Sequence, residues 1–155
     1  MQFQTTIEVA APADVLWQAV ADVEHWPEWT PTMNEVTWLT AMPAASPTGA
    51  LVPGGQARIR QPGLPELVWE VTDVRPGESF TWRTATAGVT ATAVHEIRPL
   101  PGERAELTLG LAQAGPLARI VGLLSSRRTR QALQQEAEGL KRCAEVAATT
   151  PPPPR

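Results

Sequence analysis

Cysteine, histidine, excess positive charge and long apolar runs are all scarce in this 155-residue sequence. A single cysteine, Cys143, excludes an internal disulfide framework and any zinc site built from several thiolates, and it fits a reducing, cytoplasmic setting. A net charge of −3 lacks the clustered basic footprint of a nucleic-acid-binding domain, so nucleic acid is set aside as a partner. Nothing approaches the roughly 18 apolar residues of a membrane span, so no integral membrane contact is expected. The first nine residues alternate polar and apolar, with no basic region leading into a continuous apolar run, which is not the pattern of a signal peptide. His25 and His95 are the only imidazoles, and Asp14, Asp22, Glu24 and Glu28 include no pair at a metal-fixing spacing; neither a metal nor another cofactor is called for. A G-x-S-x-G elbow, a phosphate-cradling glycine loop after a strand and a cysteine paired with a base are also missing.

What is present is 43% hydrophobic residues, enough for a sizeable core in one domain, placed at residues 1–147. Phe3, Thr5, Ile7 and Val9 share one face of an extended segment, the period-2 signature of a half-buried strand. A short helix opens at Ala11-Pro12-Ala13, with Val15, Leu16, Ala19 and Val20 as its apolar stripe, and runs to about Asp22. Trp26 and Trp29, set among Pro27 and Pro31, predict a short helical turn held by aromatic packing. Strands are predicted at about 33–40, 56–61, 67–74, 79–84, 89–98 and 103–113, with Pro76-Gly77 and Ala87-Gly88 as turns. Residues 41–55, rich in Pro, Gly, Ala, Ser and Thr, read as a mobile surface loop.

From Pro116 no strong breaker occurs until Pro151, and Leu117, Ile120, Val121, Leu124, Leu133, Ala137, Leu140 and Ala144 recur at helical spacing. Arg119, Arg127, Arg130, Gln134, Glu138, Lys141 and Glu145 take the wet face. The Arg127-Arg128-Thr129-Arg130 run reads as part of that face, with an acidic partner or membrane surface as the alternative. Residues 148–155 form a Pro-rich tail that reads as disordered. The fold class is α+β: seven antiparallel strands in hairpin order, curved around one long C-terminal helix.

Alternation turns Trp69, Val71, Phe80, Trp82, Val89, Ala91, Ala93, Ile97, Leu107, Leu109 and Leu111 inward, and the helix adds Leu117, Val121 and Leu124. These side chains are uneven in size, and Gly115, Ala118 and Gly122 thin the helix wall, so a cavity for an apolar guest is expected.

The order of segments also carries a likeness. The opening strand, Ala11-Pro12 through Trp17, Asp22, Trp26-Pro27, Trp29 and Pro31, then residues 60–65 (RQPGLP), 68–82 (VWEVTDVRPGESFTW) and 136–142 (EAEGLKR), resembles the SRPBCC or START-like superfamily, in its polyketide cyclase/dehydrase-like bacterial branch. The resemblance covers residues 1 to about 146. It implies the helix-grip fold, shared with plant pollen-allergen and lipid-transfer relatives, and a hydrophobic cavity between sheet and helix. It implies fold more firmly than chemistry, since its members include lipid carriers, aromatase/cyclases and hormone receptors.

Within such a cavity His95, in phase with Ala91, Ala93 and Ile97, is the candidate general acid or base; the other reading is a core histidine hydrogen-bonded to a neighbouring strand or helix. Arg60, Gln61 and Gln113 are candidates for contact with a polar ligand end, although Arg58 and Arg60 also fit a solvated outer face. Trp26 and Trp29 read as a plug for the core's end rather than a gate, and Trp69 with Trp82 as core or as aromatic wall. Tyrosine is absent, so a polyketide cyclisation would have only the histidine of the two customary acids. Two functions follow: binding of a small hydrophobic molecule (lipid, aromatic or polyketide-like), or cyclisation or dehydration of such a molecule using His95. Strand edges and the long helix's outer face leave a protein partner or a homodimer open.

Overall fold

Alternating apolar residues in the chain become seven strands, because each strand buries one face; the second to the seventh pair in sequence order, while the first pairs with the seventh and not with the second. The computed structural model describes residues 1–40 and 51–151. The strands are β1 (Gln2–Val9), β2 (Glu35–Trp38), β3 (Gln56–Arg60), β4 (Leu67–Arg75), β5 (Ser79–Thr86), β6 (Val89–Leu100) and β7 (Arg104–Ala114). They form one sheet in the order β1-β7-β6-β5-β4-β3-β2, and every neighbouring pair is antiparallel. Between β1 and β2 stand α1 (Ala13–Ala21) and a 3₁₀ turn (Val23–Glu28); α2 (Ala118–Thr149) follows β7 and lies across the concave face.

Register explains which residues share that face. Phe80 pairs with His95, which pairs with Leu109; Trp82 pairs with Ala93, which pairs with Leu111. The β4–β5 register shifts between Val71 and Asp73, an irregularity that places Val74 opposite Phe80.

Two expectations change at the edges of elements. Residues 51–55 are not loosely held: Leu51 is fully buried in the core, and the backbones of Gly54 and Gly55 bond to Val71 as a short continuation of the β3 side of the sheet. One large apolar side chain at the end of a stretch of small residues and prolines is enough to anchor residues 51–55. The helix also claims residues 148 and 149 of the expected tail. The remainder of the predicted loop, 41–50, and residues 152–155 of the tail lie outside the described residues.

The C-terminal half of α2 is fastened closely. Lys141 Nζ donates to the Glu8 carbonyl, Glu145 accepts the Ala10 N–H, and Arg142 donates to the Trp29 carbonyl. Gly139 lets the helix back onto that last carbonyl, since a Cβ there would stand 2.4 Å from the Trp29 oxygen. Gly122, expected to leave a void, is instead a contact: its missing Cβ would meet Met1 Cγ at 2.7 Å and Gln113 Oε1 at 3.0 Å. Gly115 precedes the helix, with φ +110°.

The two helical glycines therefore differ. Gly139→Ala is expected to lose about 1–3 kcal/mol by overpacking against backbone, despite alanine's better helix propensity. Gly122→Ala meets flexible side-chain ends and is expected to stay within about 1 kcal/mol of the parent. Urea unfolding of the two variants measures the difference.

Candidate functional site

The space between sheet and α2 is divided into a solid half and a hollow half. In the solid half, α1 brings Leu16 and Val20 into the core with Val9, Leu107, Ala137, Leu140 and Ala144. In the hollow half no element comparable to α1 intervenes, and a cavity of about 540 Å³ opens between β4–β7 and residues 121–136 of α2. That volume falls in the about 300–1,000 Å³ range of small-molecule pockets.

The inward residues are divided the same way. Trp69, Trp82, Val89, Ala91, Ala93, Leu109, Leu111 and Val121 line the cavity. Val71, Phe80, Ile97 and Leu107 face inward but are packed in the core away from the lining. Leu117 and Leu124 do not reach it: Leu124 is 84% exposed and Leu117 44%, because the first turns of α2 carry apolar residues around most of their circumference and the sheet covers only one side. Ile120 is turned out likewise.

The polar candidates separate at a single step of the strand. Arg60 points away from the cavity and pairs with Glu35 and Glu66 at the surface. Gln61, next in sequence, lines the mouth and donates to the Thr32 carbonyl at 3.4 Å. Gln113 also lines the cavity, and its Oε1 is buried without a hydrogen-bond partner.

His95 sits at the boundary of the two halves, 2% exposed. Its ring stacks on Phe80 at 4.1 Å with an interplanar angle of 6°, and Trp26 and Trp82 close two further sides. Its Nε2 faces Glu136 Oε1 at 3.4 Å, and its Nδ1 is buried without a partner. Both the cavity-facing position and the bond to a neighbouring helix are thus present together. Trp26, whose Nε1 donates to the Ala19 carbonyl, is 1% exposed and forms part of the wall behind His95.

Glu136 is the residue that sequence reasoning misses. It lies three residues after Leu133 and four before Leu140, on the buried stripe of α2, and is itself buried. A carboxylate at that phase is the available signal, because an ionisable group on an apolar stripe needs a partner. Arg128 is exposed, as a place on the wet face requires, and from there donates from its guanidinium to the Pro62 carbonyl and packs on Gly63, latching α2 to the β3–β4 loop beside the mouth. Trp69 Nε1 is the third buried side-chain polar atom without a partner among the described residues, and all three belong to residues lining this one cavity.

The family model described as polyketide cyclase/dehydrase and lipid transport matches residues 1–145. The chain belongs to this family. Solved structures share its fold at low identity. A hypothetical protein from Helicobacter pylori is 14% identical with a TM-score of 0.75, over 93% of this chain and 88% of its own. A protein from Thermus thermophilus is 11% identical with a TM-score of 0.74, over 97% and 100%. The Zhui aromatase/cyclase from Streptomyces sp. R1128 is 17% identical with a TM-score of 0.64, over 96% and 93%. No curated protein matches the chain. As a member of the polyketide cyclase/dehydrase and lipid transport family, the protein has the helix-grip fold.

Within this family member the remaining reactive groups lie outside the cavity lining. Cys143 is half-buried on α2; burial pushes its thiol above the ordinary range, with the Asp22 and Glu28 carboxylates adding to the effect. Alkylation by iodoacetamide at neutral pH is expected to run at least a few-fold slower than for free cysteine and to accelerate as pH rises. His25 is exposed, and its hydrogen bond to Asp22 raises its pKa. Among the described residues no three His, Cys, Asp or Glu side chains gather as a metal site, and no helix is long and apolar enough to cross a membrane.

Proposed function

We propose that the protein binds a small, mainly apolar molecule bearing a few hydrogen-bonding groups in the cavity between sheet and α2. The observation that carries this reading is the joint placement of three unpartnered buried polar atoms, Trp69 Nε1, His95 Nδ1 and Gln113 Oε1, in residues lining one apolar cavity. An unsatisfied buried polar group costs about 1–3 kcal/mol, and a ligand that pairs with it recovers that cost on binding. The indole N–H requires an acceptor, the amide oxygen a donor, and the imidazole nitrogen takes either according to its tautomer. A plain hydrocarbon satisfies none of them; a hydroxylated or carbonyl-bearing ring system or lipid satisfies several.

Filling the space tests the reading. Ala93 lines the cavity opposite Trp82 and Leu111, and Ala93→Phe is expected to abolish saturable binding of a hydrophobic fluorophore while leaving the folded far-ultraviolet signal in place. Undiminished binding by the variant would remove the cavity from consideration. Native mass spectrometry of protein from its own cells, followed by solvent extraction, then identifies any resident compound.

A second reading is supported by one further contact. Glu136 holds one nitrogen of His95 and leaves the other uncommitted, the arrangement in which a carboxylate orients an imidazole for proton transfer. On this reading the bound molecule is cyclised or dehydrated, with His95 removing or delivering the proton and Trp69 and Gln113 orienting the substrate.

A further inference from the structure

Half of the large hydrophobic side chains that the described residues leave exposed fall within eight consecutive positions. They are Leu117, Ile120, Val121, Leu123 and Leu124, at the start of α2, with Leu124 84%, Leu123 69% and Ile120 59% exposed. Contiguous apolar surface of this kind marks an interaction site rather than ordinary surface scatter. Its charge is equally uneven. The whole chain carries −3, yet between Glu106 and Glu136 there are four arginines, Arg119, Arg127, Arg128 and Arg130, and no acidic residue. Arg119 and Arg127 are exposed and have no ion-pair partner among the described residues. At 100° per residue, Ile120, Leu123 and Leu124 occupy one outward arc, with Arg119 at its edge and Arg127 on the same arc one turn on.

We infer that the first three turns of α2 form a peripheral docking surface for an anionic lipid bilayer. An apolar arc bordered by arginines is the composition of an interfacial helix, which sinks its apolar side chains into the headgroup boundary while its cations meet lipid phosphates. The patch adjoins the cavity: Val121, Ser125 and Arg128 belong to the same helix and line the mouth, and Leu64 across it is 46% exposed. A bilayer seated here meets the opening of the cavity directly. A second copy of the chain fits less well, since a two-fold pairing of this face brings the arginines of both copies together. The inference rests on exposure and charge and does not require the ligand reading above.

Flotation of the full chain with vesicles tests it. Binding is expected to vesicles of phosphatidylcholine mixed with phosphatidylglycerol, to be much weaker to phosphatidylcholine alone, and to fade as salt rises. Arg119→Gln with Arg127→Gln is expected to weaken binding by roughly tenfold or more, and Leu123→Glu with Leu124→Glu to remove it. These side chains are exposed, so circular dichroism of the variants remains that of the parent; Arg75→Gln, in the β4–β5 hairpin, binds as the parent does. Three outcomes overturn the inference: no binding to the mixed vesicles, equal binding by the α2 variants, or a dimer in sedimentation that the leucine variants dissolve without vesicle binding by the parent. The last assigns the patch to a second copy.

Discussion

Trp26→Ala is expected to lower the free energy of unfolding by about 3–5 kcal/mol, read as a fall in the urea midpoint without a change in slope. The indole is 1% exposed and makes ring contacts with Phe80, Trp82 and His95 at 6.2, 5.7 and 5.3 Å. Its Nε1 is satisfied by the Ala19 carbonyl at the end of α1, so truncation opens a large void and also strands a buried acceptor. The ring is held from both sides, by α1 and by the sheet, which limits collapse into the void. On the binding reading, affinity for a hydrophobic probe is expected to weaken with it, because the wall behind His95 then lies against empty space. Trp26→Phe, retaining most of the volume and losing the hydrogen bond, is expected to fall between the two. A loss under 1 kcal/mol for Trp26→Ala would show that this aromatic cluster is not closely packed.

The second large effect is chemical. On the catalytic reading, His95→Gln is expected to lower turnover of a true substrate by about 10²–10⁴-fold while leaving the affinity for a non-reactive analogue within a few-fold. Glutamine keeps the approximate size and a hydrogen-bonding end but cannot carry a proton between partners. Glu136→Gln is expected to reduce turnover less, since its amide oxygen keeps an acceptor near Nε2 that still orients the ring. Glu136→Leu serves as the packing control: a stability equal to the parent with turnover lost assigns the carboxylate to chemistry, whereas turnover unchanged in all three variants eliminates the proton-transfer reading and leaves binding alone.

Much of the architecture is legible because it is written in periods. Alternation at 67–74 and 89–98 is read directly as pleat, and the register then turns His95 and Trp82 to the concave face. The hollow is less legible, because a cavity is set by what fails to reach it. Phe80 and Leu107 have the same inward phase as Trp82 and Leu109, yet the first pair is buried away from the cavity and the second pair lines it. That difference comes from where α1 and Trp26 stop, which no single strand encodes. The start of α2 misleads for another reason. Leu117, Ile120, Val121, Leu123 and Leu124 form an apolar arc of roughly 160° at 100° per residue, yet all five are exposed, so helical spacing alone does not say which apolar arc is buried. Arg60 and Gln61 differ by one residue at the end of β3, where alternation has no further residues to fix its phase. Glu136 is visible in phase with Leu133 and Leu140, but charge by itself points to the wet face, and the residue is instead a buried carboxylate with an imidazole partner.

The division of the sheet–helix space has a consequence for how α2 opens. The helix is continuous over 32 residues, yet its neighbours are not. Residues 137–149 are clamped by Lys141, Arg142 and Glu145 and by the Gly139 backbone contact, whereas residues 118–133 border a cavity on one side and solvent on the other and are held chiefly through the Arg128 latch and the contact of Gly122 with Met1 and Gln113. Local unfolding draws on the element with the fewest buried contacts, so the first half of this unbroken helix is expected to open at a lower free energy than the second. If a molecule occupies the cavity, amide exchange in the first half is expected to slow on binding, while the second half exchanges only with global unfolding.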